Sequence, residues 1–294
     1  MLLPRFDFHE PTSLNEACAI MLSLGKEGKI IAGGTDLIVN MKKKIIAPKN
    51  IVSLARIPGL REINFSNDHV AIGCQVTVAE IAESEVMNSW FHLFVEGARS
   101  LGSPLIRNRA TVAGNVITAR PAADTLPSLI ALGATLLLKS DAGERELGVA
   151  DFIKGPGEPA LKSEEVLTAI LIKKLPPFSG GAYIKLGVRK ALEISLVNVS
   201  SLLILEGEDG PIQEARIVMG AVGPTPLRAL GAEAYLKGSR PGEELFIKTG
   251  EIAANECKPI TDHRASAQYR RWMVSALTRK TLRGAYERAK KQGN

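Results

Sequence analysis

Lys29-Ile30-Ile31-Ala32-Gly33-Gly34-Thr35-Asp36-Leu37 runs a short apolar strand into two consecutive glycines and then into the start of a helix. Glycine adopts positive φ and lets the backbone approach a neighbour closely. Its N–H groups, with those of the next helical turn, can form a nest for an anion. Thr35 is placed to cap the helix and to donate its hydroxyl to a phosphate oxygen. Asp36 would repel a phosphate aimed at it, so its side chain is expected to cap locally or face elsewhere. A strand–turn–helix connection without a ligand uses the same residues, and short glycine motifs recur by chance. On its own this segment leaves both readings open.

The second informative stretch is Leu105–Thr125. It sets glycine, hydroxyls and amides, including Thr111-Val112-Ala113-Gly114-Asn115, inside an otherwise apolar region. Thr111 and Asn115 can hydrogen-bond phosphate or ribityl groups, and Gly114 permits close backbone approach. Asp124 precedes a helix, where it can cap the N-terminus or accept from hydroxyls of a ligand. Arg107, Arg109 and Arg120 read most simply as surface or subunit-contact charges.

Other chemistry is thinly signalled. There is no P-loop, and Gly155-Pro-Gly-Glu-Pro-Ala160 matches a dinucleotide fingerprint by letter only, because its prolines and flanks make it a loop. The four histidines have no metal-ligand spacing, and no nucleophile elbow is present. No metal-ligating or catalytic residue is assigned. That pattern suits a protein whose hard chemistry belongs to a cofactor.

The chain has 294 residues, 45% hydrophobic and 23% charged, which is room for one large or several modest domains. Its net charge of +6 comes with only 5% aromatic residues, so solvated faces, a pyrophosphate or an acidic partner subunit explain it better than nucleic acid. No apolar run reaches the roughly 20 residues of a membrane span, and no signal peptide is read at the start. Three scattered cysteines argue against a cluster or structural zinc in this chain and favour a reducing cytoplasm.

Ser13-Leu-Asn-Glu16 and Thr77-Val-Ala-Glu80 are capping boxes, predicting helices from there to about Leu24 and over 77–87. Strands are expected at 29–32, 51–54, 62–65, 70–73 and 135–139, and further helices at 91–101 and from Thr125 to Leu132. The stretch 106–121 reads as a glycine-broken loop. Pro176-Pro177 with Gly180-Gly181 marks a boundary. Beyond it come strands at 182–187, 196–205 and 212–219, then helices at 228–237, 242–255 and 265–291. The class is α+β, without regular βαβ alternation.

Taken together, the segments resemble the FAD-binding medium subunit of molybdenum hydroxylases, the family of xanthine dehydrogenase and aerobic carbon monoxide dehydrogenase. The likeness rests on Phe6-Asp-Phe-His-Glu-Pro-Thr-Ser-Leu-Asn-Glu-Ala17, on Ala32–Leu37, on Ile106–Asn115 and on Pro259–Arg271, in family order and over essentially the whole chain. It implies two FAD-binding subdomains (1–57 and 58–175) and a C-terminal α+β domain (176–294) of a three-stranded sheet plus helices. It implies that Lys29, Ile30, Ile31, Ala32, Gly33, Gly34, Thr35 and Asp36 hold the pyrophosphate, and that Thr111, Gly114 and Asn115 hold phosphate and ribityl. Ile117 and Thr118 would lie along the flavin, Asp124 would meet ribityl or adenosine hydroxyls, the Leu167 backbone would touch the ring, and Lys185 would stand near its pyrimidine edge. Without the resemblance Lys185 is a solvated strand lysine. The implied partners are a large molybdopterin-binding subunit, a small [2Fe–2S] subunit and NAD+ or another acceptor. A self-contained flavin oxidoreductase is the alternative. Two departures stand out. Ala110 and Ala113 replace frequent glycines, and Ser100-Leu101-Gly102 replaces the aromatics that stack on the flavin in animal relatives.

Overall fold

The computed structural model describes residues 2–189 and 192–291. The chain begins with β1 (Asp7–His9), α1 (Leu14–Leu24), β2 (Gly28–Ile31), α2 (Leu37–Lys42) and β3 (Asn50–Ser53). Both flanking strands pair in parallel with β3, giving the order β1-β3-β2. Ser13 caps α1 by accepting from the Glu16 amide, but the Glu16 carboxylate turns back to Thr12. Only half of the expected capping box therefore forms.

Next come β4 (Ile63–Phe65), β5 (His69–Gly73), α3 (Val78–Glu83), α4 (Glu85–Trp90) and α5 (His92–Ser100). The capping box at Thr77 is complete. The single helix expected over 77–87 is two, because Ser84 leaves helical geometry and caps α4 in its turn. The stretch expected to be a glycine-broken loop instead holds two short helices, α6 (Pro104–Arg107) and α7 (Val112–Ile117). Ser103 and Thr111 cap them by accepting the third amide of each.

There follow α8 (Leu126–Ala131), β6 (Thr135–Ser140), β7 (Gly143–Gly148), α9 (Val149–Phe152), the small hairpin β8 (Ile153–Gly155) and β9 (Glu158–Pro159), and β10 (Val166–Lys173). A five-stranded antiparallel sheet results, in the order β4-β5-β10-β6-β7. Its central strand, β10, carries a register shift between Leu167 and Ala169.

The last part comprises β11 (Ser179–Leu186), β12 (Val197–Leu205), β13 (Ile212–Gly220), β14 (Leu227–Arg228), α10 (Leu230–Leu236), α11 (Glu243–Glu256) and α12 (Ala267–Lys291). Its antiparallel sheet has four strands, not the three expected, because the two-residue β14 adds to β13. Gly180 and Gly181 lie inside β11 and not in a turn before it. A Cβ on Gly180 would overlap the α12 backbone at Ala285 and Ala289, so glycine is what lets strand and helix meet there.

Every residue of β12 is buried. One face of the sheet carries α12, and the other receives α5 and α8. Val197, Val199, Leu203 and Leu205 pack into the C-terminal core, while Leu202 joins the core shared by the first two sheets. The family-like segment near the end is structural: Asp262 accepts from Arg264 and from the fully buried Arg270. Hydrogen bonds from Arg264 hold the Asp262 carboxyl well below the usual carboxylate range.

Candidate functional site

A cleft of about 820 Å³ opens between the first sheet and the second. That lies toward the upper end of the roughly 300–1,000 Å³ typical of ligand pockets. Its floor is β2 and the turn into α2, one wall is α6–α7, and the facing wall is the segment 159–167.

Gly33 holds the two glycine segments together. A Cβ there would collide with the carbonyl of Arg109, so the first turn packs directly on the backbone of the second. Gly34 has φ +73°, a conformation that favours glycine. Among the described residues, the N–H groups of Gly33, Gly34, Thr35 and Asp36 donate to no other part of the chain. All four residues line the cleft. Orphan amides at a ligand-lined turn form an anion cradle. The α2 N-cap is Asp36, and neither it nor Thr35 makes a side-chain cap; both hydrophilic side chains stay free at the cleft.

The second turn is more tightly wired. Thr111 is buried, and its hydroxyl accepts from the Gly114 amide at 3.0 Å. A side chain on Gly114 would come within 2.9 Å of that hydroxyl. Asn115 Oδ1 accepts from Thr125 Oγ1 at 2.6 Å, which fixes the amide and leaves its N–H₂ for a ligand. Thr118 Oγ1 donates to the Asn115 carbonyl, and Ile117 supplies apolar wall.

Of the facing wall, only Leu167 was expected at the site. Glu165 is almost fully buried, takes both arms of Arg145 at 2.7 and 2.8 Å, and accepts from the Lys162 amide. Burial alone would raise its carboxyl, but these bonds prevail and hold it below the ordinary range. The clamp fixes Leu161, Lys162 and Ser163 against the cleft. Leu167 lines it at the β10 bulge. Met21, Gly25, Lys26, Gly28, Leu101 and Ile106 also line it. Cys74 also lines the cleft, and burial pushes its thiol up to about 12, which disfavours the thiolate.

All predicted site residues line the cleft except Asp124 and Lys185. Asp124 is not the α8 cap, which is Thr125. Its carboxylate is buried and accepts from Tyr183 Oη at 2.9 Å, Ser195 Oγ at 2.7 Å and Lys185 Nζ at 2.7 Å. Lys185 is not solvated; it also donates to the carbonyls of Ser100 and Glu193. Desolvation, then the Asp124 charge, pushes the Tyr183 phenol well up. These groups tie β11 to the segment before α8. Arg107 likewise braces the structure, donating to the carbonyls of Arg99 and Leu101.

The residues present suit FAD. A cleft of this size has an anion cradle at one turn, neutral donors at the next and apolar surface beyond. Among the described residues, no cluster of His, Cys, Asp and Glu could hold a metal ion.

Comparison with known proteins agrees. Residues 4–174 match the family described as the FAD binding domain in molybdopterin dehydrogenase, and residues 182–285 match the CO dehydrogenase flavoprotein C-terminal domain. The carbon monoxide dehydrogenase medium chain of Afipia carboxidovorans is 30% identical over 99% of this chain and 100% of its own. The nicotine 6-hydroxylase medium subunit of Paenarthrobacter nicotinovorans is 30% identical over 96% and 98%. A solved carbon monoxide dehydrogenase from Hydrogenophaga pseudoflava superposes with a TM-score of 0.93 at 30% identity, covering 98% of this chain and 99% of that one. The chain belongs to the FAD-binding medium subunits of the molybdenum hydroxylases, which are components of oxidoreductase complexes.

Proposed function

We propose that this chain is the electron-relaying subunit of a three-component complex. A large molybdopterin-binding subunit oxidises the substrate, a small subunit carries [2Fe–2S] clusters, and this chain passes the electrons on to NAD+ or another acceptor. The observation that carries the reading is the cleft itself, whose free turn amides and neutral donors suit FAD and among whose described lining residues we find no histidine and, in Cys74, a thiol raised by burial. When bound, FAD supplies the capacity to accept electrons and release them to a second partner.

The chain's own residues bind and orient. The amides of Gly33 to Asp36 take the pyrophosphate. Asn115, held by Thr125, and Thr111 donate to phosphate or ribityl hydroxyls. Ile117, Thr118, Leu101 and Leu167 bound the ring and keep water from it. Asp124 and Lys185 act at one remove, by fixing the strand and loop beyond the ring end. The divisions at about residues 57 and 175 follow the two flanks of this cleft and the start of the C-terminal sheet. Among the described residues no helix is long and apolar enough to cross a membrane, and the three cysteines are buried and free; a reducing cytoplasm suits such a chain.

Turnover separates this reading from a self-contained flavin enzyme. The isolated, FAD-loaded chain should reduce no acceptor when given candidate organic substrates, whereas the three-subunit complex should. Substrate oxidation by the isolated chain at the rate of the complex would refute the relay.

A further inference from the structure

Leu101, the C-cap of α5, is buried and lines the FAD cleft. A helix leaves its last carbonyls without partners of its own. Here four consecutive carbonyls, from Arg99 to Gly102, each accept from a donor outside α5. Arg107 Nη1 donates to the carbonyls of Arg99 and Leu101, both at 3.0 Å. Lys185 Nζ donates to Ser100 at 3.1 Å, and the Leu192 amide donates to Gly102 at 3.0 Å. The Leu101 amide in turn donates to the Ala98 carbonyl. Both backbone polar groups of Leu101 are therefore engaged.

Cations near a helix C-terminus are favourable wherever they occur. Here the cap is also joined to the cleft. Arg107 directly follows Ile106, which lines the cleft, so α6 supplies a wall residue and the brace for its neighbour. Gly102, at φ +54°, makes the turn between Leu101 and α6, and a Cβ there would stand 3.0 Å from the Ile106 side chain. The turn is thus closely packed on the second wall residue. Neither Arg107 nor Lys185 lines the cleft. They reach it only through the backbone they hold.

We infer that Arg107 is a positioning residue for FAD, which fixes Leu101 and so the apolar boundary that Leu101 gives the ring. Lys185 and Leu192 brace the same segment from the C-terminal part. That part thereby shapes a cleft which, among the described residues, it does not line. The inference rests on the cleft holding FAD. With Leu101 held in place, its apolar surface is ordered before the cofactor arrives. With the brace gone, that order must be imposed on binding, at a cost in affinity.

The test is a double-variant cycle on the full chain, freed of FAD and titrated with FAD, with flavin fluorescence as the readout. Arg107→Gln should raise the Kd by about two- to tenfold, the cost of one side chain that must be ordered anew. Leu101→Ala should also raise it. In the Leu101→Ala background, Arg107→Gln should add nothing, because the residue it positions is gone. Arg107→Lys, which keeps a donor in reach, should lie between the wild type and Arg107→Gln, and should show the same coupling should the Gln variant fail to fold. Arg216→Gln is the control. Arg216 likewise donates to a carbonyl, that of Ala131, but neither residue lines the cleft, so the Kd should hold even where the melting temperature drops. Weakening of FAD by the Arg107 variants that is as large in the Leu101→Ala background as in the wild type would overturn the positioning role alone. So would an unchanged Kd in Leu101→Ala. A wild-type chain that takes up no FAD would overturn the cleft reading itself, and this inference with it.

Discussion

At the residue scale, Gly33 and Gly114 look alike in the sequence but carry different loads. A methyl group on Gly33 must displace the Arg109 carbonyl, whereas on Gly114 it meets only the Thr111 hydroxyl. Gly33→Ala should therefore cost about 1–3 kcal/mol of stability, as overpacking does, and should strip most FAD from the purified chain. Gly114→Ala should retain a larger share, read as flavin absorbance per mole of protein. Asp124 and Lys185 give a second test. The pair is buried, with side-chain exposures of 8% and 12%. Removing one partner strands the other, so Lys185→Met should lower stability by about 3–5 kcal/mol, and Asp124→Asn added to it should restore part of that. Chemical denaturation of Lys185→Met, of Asp124→Asn and of the double variant measures this. A double variant no more stable than Lys185→Met would show that the pair is not coupled.

At the element scale, the seams depend on carboxylates. Glu96 accepts from the Tyr183 amide and from Arg288, joining α5 to β11 and α12. Glu165 clamps the wall of the cleft. Burial raises each carboxyl, but hydrogen bonds and cations outweigh it and hold both below the ordinary value. A carboxyl depressed by folding binds fewer protons folded than unfolded. Its contribution is complete above the unfolded value, about 4.3 for Glu, and is lost as pH falls through the folded value. The melting temperature of the FAD-loaded chain should fall as pH drops below about 4.3, and Glu96→Gln should flatten that slope. The longer helices, such as α1, α5, α11 and α12, were legible because caps and periodicity are local signals, but the short α6 and α7 were not. The strands β7 and β10 were not. β7 is Gly-Glu-Arg-Glu-Leu-Gly, with almost no apolar face, and β10 follows a polar loop that hides its start. The glycine turns were legible as turns, but the Gly33–Arg109 contact, the Arg145–Glu165 clamp and the Asp124–Lys185 pair join residues far apart in the chain. No local pattern announces them. The resemblance set Asp124 at ribityl or adenosine hydroxyls and Lys185 at the pyrimidine edge, whereas the folded chain pairs them with each other outside the lining of the cleft.

At the scale of the whole molecule, three sheets divide the work. The first two enclose the cleft, and the third, buried on both faces at β12, anchors the segment that carries Tyr183 and Lys185. The proposed relay leaves substrate choice to another subunit. Removal of FAD from the intact complex tests that assignment most directly. After FAD is stripped, substrate should still bleach the iron–sulfur absorbance of the partner subunit, reduction of the acceptor should stop, and added FAD should restore it. Acceptor reduction that continues at the original rate without FAD would contradict the account.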